Sequence, residues 1–219
     1  MDPKDNKSKE LPGAFSLFQP SWEAIQVNLV TFIELVLVPL LFVLVGSIIK
    51  HATGAFLESV GEILAILFSP GIYLTQLKSV RKNTVDFSQA VKEGLHFFWR
   101  FFGLVICMFV FIGIGFLLLI VPGFFMLRRY ILAPYYLLDR DMKIFDAMKA
   151  SAEDSKEFSM AIWGLIGVEV LLGAVLVILQ ALLGWIYIVG LVFYYIYYCA
   201  PAVRYFEIKN ATKTKTSTS

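Results

Sequence analysis

The chain has 219 residues, 58% of them hydrophobic and only 16% charged, with a formal net charge of +2. Soluble domains carry roughly 45 to 50% apolar residues and about a quarter charged ones, so this is the composition of a membrane protein. So small a net charge, spread over scattered basic residues, argues against a nucleic-acid partner, and two cysteines inside apolar stretches, Cys107 and Cys199, argue against a disulfide framework.

Residues 1–14 are charged and punctuated by Pro and Gly, the pattern of a disordered tail. They lack the basic, apolar and small-residue succession of a cleaved signal, so the first span is expected to direct its own insertion. Phe18, Trp22, Ile25 and Leu29 then recur at helical spacing with Ser21, Glu23 and Gln26 off that face, which reads as an amphipathic helix at the membrane interface. A first span follows at 30–49, carrying Glu34 and Pro39, then a turn at 50–54. A second span at 55–77 carries Glu58, Glu62 and Ser69-Pro70-Gly71. Each is close to the roughly 20 residues that cross a bilayer. Lys78, Arg81 and Lys82 close the second span, and Asp86 with Gln89 reads as a capping box. The helix it opens has Phe87, Ala90, Val91, Gly94, Leu95 and Phe98 on one face and is expected to lie flat on the membrane.

The third span, 101–121, and the fourth, 124–138, are expected to form a hairpin turning at Val121-Pro122-Gly123. The return carries Arg128 and Arg129, then Pro134, and leaves the apolar zone at Asp139-Arg140-Asp141. A third amphipathic helix presents Ile144, Phe145, Met148 and Ala152. Spans five and six, 158–183 and 185–205, are joined at Gly184, and Glu169 sits near the middle of the fifth. Tyr194, Tyr195, Tyr197 and Tyr198 read as an interfacial belt. Residues 207–219, rich in Lys, Thr and Ser, are expected to be a second disordered tail.

The fold expected is therefore all-α and polytopic: six transmembrane helices as three hairpins, with interfacial amphipathic helices, over residues 15–206. One unit recurs three times, at 15–82, 83–140 and 141–206. Its returning span holds a small-Pro step at Ser69-Pro70, Ala133-Pro134 and Ala200-Pro201, with the prolines 64 and 67 residues apart. Such a repeat implies a pseudo-threefold axis normal to the bilayer. The segments assigned to the cytoplasm hold 3, 5, 4 and 4 Lys or Arg residues, against Lys50 alone on the other side, so both termini are expected inside.

Charges inside a bilayer are costly and should have partners. The candidate network is Glu62, Arg128, Arg129, Glu169 and Glu34. Counting helix rises places Glu62 and the two arginines at similar depth, about 7 to 11 Å below the outer surface, and predicts an ion pair from Glu62 to Arg128 or Arg129. Glu169 is either a proton-relay group or a neutral hydrogen-bonding contact. His51 and His96 fall on opposite sides, so no metal site is drawn from them, and no nucleophile motif or phosphate loop is present. Neither cofactor nor catalysis is expected. Glycines at 103, 113, 115, 164, 167 and 173 suit close helix approach.

The stretch from Ile120 to Gly167 holds a Pro-Gly turn, Arg, Ala-Pro, an aspartate at the membrane exit, then Ala and Ser on an amphipathic helix leading to Trp-Gly. It resembles the membrane domain of membrane-bound glycerophosphodiester phosphodiesterases and related stand-alone proteins of the YciC-like type. The matching positions are Pro122, Gly123, Arg128 or Arg129, Ala133, Pro134, Asp139 or Asp141, Ala147, Ser151, Trp163 and Gly164. In the two-part members of that family hydrolysis belongs to a separate soluble barrel, for which no counterpart is expected among these residues. The resemblance implies a non-enzymatic integral protein of the cytoplasmic membrane, a scaffold or lipid-environment module with membrane lipid and a further membrane or cytoplasmic protein as partners. The alternative is a small-molecule or lipid transporter that uses the buried Glu and Arg groups.

Overall fold

The computed structural model describes residues 11–48, 56–183 and 194–218, and all of their regular structure is helical. A 3-10 turn, Ala14–Leu17, leads into α1 (Phe18–Val27), α2 (Leu29–Ile48), α3 (Phe56–Val80), α4 (Phe87–Leu118) and α5 (Ile120–Tyr130). Then come α6 (Ala133–Arg140), α7 (Ile144–Glu157), α8 (Ser159–Leu183) and α9 (Ala200–Thr218). Four helices are long and apolar enough to cross a membrane: Leu29–Ile48, Ser59–Val80, Phe87–Leu118 and Ser159–Leu179. They coincide with expected spans one, two, three and five. Their outward surfaces stay apolar, with Leu117, Ile48 and Phe109 more than three-quarters exposed, as a hydrocarbon solvent requires.

The expected fourth span is not one helix but two, α5 and α6, interrupted at Ile131 and Leu132. The expected turns at 50–54 and Gly184, residues 1–10 of the N-terminal tail, and much of span six lie outside the described residues. Beyond Glu207, where a tail was expected, α9 continues as helix to Thr218.

Proline explains where returning segments break. Pro134 and Pro201 occupy the second position of α6 and α9, where a missing N–H leaves no helical bond unmade. Pro70 instead lies inside unbroken α3. It leaves the Ile66 carbonyl without its amide donor, and the Ser69 hydroxyl donates to that carbonyl at 2.7 Å.

Asp86 caps α4 by accepting from the Gln89 amide at 2.7 Å, but the Gln89 side chain donates onward to Glu93 rather than back to residue 86. From that cap α4 runs unbroken for 32 residues, so the expected flat helix and the third span are one rod. Its turn into α5 falls at Leu119, in extended backbone, and not at Val121-Pro122-Gly123. Pro122 fits the first turn of α5, where no amide donor is needed. Gly123 is there for contact: a Cβ on it would stand 2.4 Å from the Phe116 ring, and a Cβ on Gly115 would stand 3.0 Å from the Gly123 Cα.

The short helices dock through small residues. α1 buries Ser21, Ala24 and Ile25 and leaves Trp22 exposed, and α7 buries Ala147, Met148, Ser151 and Ser155 and leaves Phe145 out. Each therefore divides the apolar face read from its sequence, with Ile25 and Met148 packed inward and Trp22 and Phe145 left outward. Ser21 Oγ accepts from the Cys199 amide at 3.0 Å, just ahead of Pro201. Ser151 and Ser155 donate to the carbonyls of Arg129 and Arg128 at 2.8 and 3.0 Å, closing the open C-terminal end of α5 ahead of Pro134. On α4 the matching contact is bare backbone, since a Cβ on Gly94 would meet the Gly71 amide at 2.6 Å.

Residues 11–14, expected within the disordered tail, are held as a strap. Pro12 accepts from Arg204 Nη2 and Ala14 from the Tyr197 hydroxyl, each at 3.0 Å, and Leu17 is fully buried behind them.

Candidate functional site

The five charges of the expected network are not brought together. Arg128 donates to Ser159 Oγ at 2.6 Å and lies over the rings of Phe125 and Trp163, 5.3 and 5.8 Å from their centroids. Arg129 is exposed beside the Tyr130 ring. Glu62 is exposed too, and among the described residues no ion pair joins it to either arginine. A hydroxyl and two ring faces satisfy the guanidinium of Arg128, all except its buried Nε. Glu34 is half-buried on a cleft of about 630 Å³ with Asn28, Thr31 and Asp86. The side chain of Glu58 lies outside the described residues.

The charge centre that does form is Asp139. Its side chain is fully enclosed at the end of α6, where it receives Arg81 from the end of α3 and Lys209 and the Tyr205 hydroxyl from α9, the last at 2.7 Å. Arg81 and Lys209 also flank the Phe206 ring, 5.0 and 5.5 Å from its centroid. Burial opposes ionisation of Asp139, but the hydrogen bonds from Lys209 and Tyr205 and the charge of Arg81 outweigh it, holding the carboxyl below its ordinary range. In the sequence Asp139 looks like a membrane exit. The available signal was its place directly after Leu132–Leu138, a run without a polar surface position.

Above this hub lies a cavity of about 330 Å³ where the broken segments converge. Tyr73 and Gln76 of α3, Ile131 and Tyr135 at the α5 to α6 break, Pro201 of α9, Tyr194, Tyr198 and Glu169 of α8 line it. Tyr135 donates to Gln76 Oε1 at 2.7 Å, and Gln76 Nε2 donates to the Tyr198 carbonyl at 3.1 Å. Glu169 has no hydrogen-bond or ion-pair partner among the described residues. The tyrosines expected as a belt are largely interior: Tyr197 is fully buried, and only Tyr195 faces outward.

No family model, curated protein or solved structure matches the chain. Among the described residues no group of three His, Cys, Asp or Glu could hold a metal ion. The cavity offers one carboxylate, one amide and several phenols, which suit hydrogen bonding to a polar guest or carrying a proton.

Proposed function

We propose that the chain is a non-catalytic module of the cytoplasmic membrane, with six spans in three hairpins about a pseudo-threefold axis and both termini inside, that organises lipid and docks a partner at its polar end. We infer kinship with the membrane domain of glycerophosphodiester phosphodiesterases. The observation that carries this reading is the work done by the resembling residues. Ser151 closes the end of α5, Arg128 binds Ser159 and Trp163, Pro134 starts α6, and Ala133 and Ala147 are fully buried where helices touch. Asp139 joins three helices. These are assembly roles. The threefold arrangement is supported by the docking order: unit one's short helix sits on unit three's break, the start of α4 in unit two sits on unit one's proline step inside α3, and unit three's short helix sits on unit two's break.

The Glu169 cavity favours a second reading, transport, because broken helices and an unpartnered carboxylate are what a transport site is built from. One experiment separates the two. In proteoliposomes loaded with a pH-sensitive dye, the module reading expects wild type and E169Q to be as proton-tight as empty vesicles. A proton leak in wild type that E169Q abolishes would move the conclusion to transport.

A further inference from the structure

We infer that the cleft between α7 and the α4–α5 hairpin binds the phosphoryl headgroup of an anionic phospholipid. The inference rests on the reading of the chain as a lipid-embedded module and gives that module a specific lipid class. A cavity of about 370 Å³ there is lined by the basic Arg129, Lys149 and Lys156 and by the rings of Phe111, Tyr130 and Phe145.

The charges do not cancel. Glu153 is the sole carboxylate among the lining residues, and its contact with Lys149 is a loose 4.0 Å between two exposed side chains. Arg129 and Lys156 have no carboxylate partner among the described residues, whereas Arg81, Arg100, Arg204, Lys78 and Lys209 each have one within 2.7 Å. The backbone of Arg129 is anchored, its carbonyl accepting from Ser151, and its guanidinium lies exposed beside the Tyr130 ring. A guanidinium offers a planar fork that matches two phosphoryl oxygens, and the two ammonium groups add charge from the facing helix.

The apolar half selects a lipid over a soluble phosphate. Phe145, Lys149, Glu153 and Lys156 form one stripe along α7, at helical spacing, with Phe145 69% exposed at its start. Across the cleft Phe111 and Ile114 continue the exposed apolar surface of α4. A bound phospholipid would place its phosphate among the three cations and its acyl chains along that surface. Inorganic phosphate would use only the first half.

The test uses the full chain in phosphatidylcholine nanodiscs doped with a fluorescent phosphatidylglycerol, with binding read by energy transfer from the protein. Each basic side chain beside an anionic lipid contributes roughly fivefold in affinity, so R129Q/K149Q/K156Q should bind at least on the order of tenfold more weakly. The charge-matched control K82Q/K92Q/K143Q should bind as wild type does, and R129K/K149R/K156R should retain most of the binding. Equal binding by the triple variant and the control would overturn the site. Displacement of the lipid by millimolar glycerol phosphate would overturn the lipid assignment in favour of a soluble phosphoester. Flotation with plain phosphatidylcholine vesicles reports on the underlying reading: failure of wild type to float would remove the membrane module itself. Normal flotation with no preference for phosphatidylglycerol would remove only this inference.

Discussion

Asp139 accepts two cations and a phenol on a carboxylate that no solvent reaches, so its removal leaves Arg81 and Lys209 facing each other across an apolar Phe206 ring. Breaking a buried pair from one side costs about 3 to 5 kcal/mol, and the partial solvation of Arg81 lowers this to about 2 to 3 kcal/mol for D139N. The pH dependence has a definite sign. Because the folded carboxyl is held below its ordinary range, its stabilisation is complete above the unfolded value of about 3.9 and is lost as pH falls through the lower folded value. Thermal unfolding in detergent should therefore show D139N well below wild type at pH 7, with the gap closing toward pH 3. A gap that persists unchanged into strong acid would show that the ionised form is not what holds the three helices.

At the scale of the element, the positions of the long helices were legible in the sequence, and their rotations were not. Hydrophobic period marks where a helix is, but in a lipid-facing chain the large apolar residues can point outward while a serine or glycine meets the neighbouring helix. So α1 and α7 leave Trp22 and Phe145 outward while Ser21, Ser151 and Ser155 make their hydrogen bonds beside the buried Ile25 and Met148. The expected Glu62 ion pair failed for a related reason: depth alone was matched, and depth says nothing about which way α3 turns. The Pro122-Gly123 signal was real but marked a contact rather than a turn. Gly123 accordingly makes a sharp prediction. G123A drives a methyl into the Phe116 ring and should cost about 1 to 3 kcal/mol of stability, as overpacking does. G123A/F116A removes the obstacle, so its stability should exceed the sum of the two single effects by at least about 0.5 kcal/mol. Strict additivity in that cycle would mean that α4 and α5 do not meet where these residues place them.

For the whole molecule, what matters is how the two ends of the chain are joined. Three hydrogen bonds tie the N-terminal strap and α1 to the start of α9: Pro12 to Arg204, Ala14 to Tyr197 and Ser21 to Cys199. Each bridges at least 178 residues of sequence, so the two ends of the described chain are held against each other. The sequence hid this because residues 1–14 have the composition of a tail, and a strap that bonds through backbone carbonyls leaves no side-chain pattern to read. Arg204 is fully buried with its Nε already lacking a partner, which makes the Pro12 carbonyl hard to replace. Two truncations separate tail from strap. Removing residues 1–10 leaves all three bonds in place. Removing residues 1–14 deletes one hydrogen bond to a charged donor and one to a neutral one, about 2 to 4 kcal/mol together. The longer truncation should thus melt well below the shorter in the same detergent, and its α8 and α9 amides should exchange faster with deuterium. Should the two truncations melt together with matching exchange, the ends of the chain are not coupled through this seam.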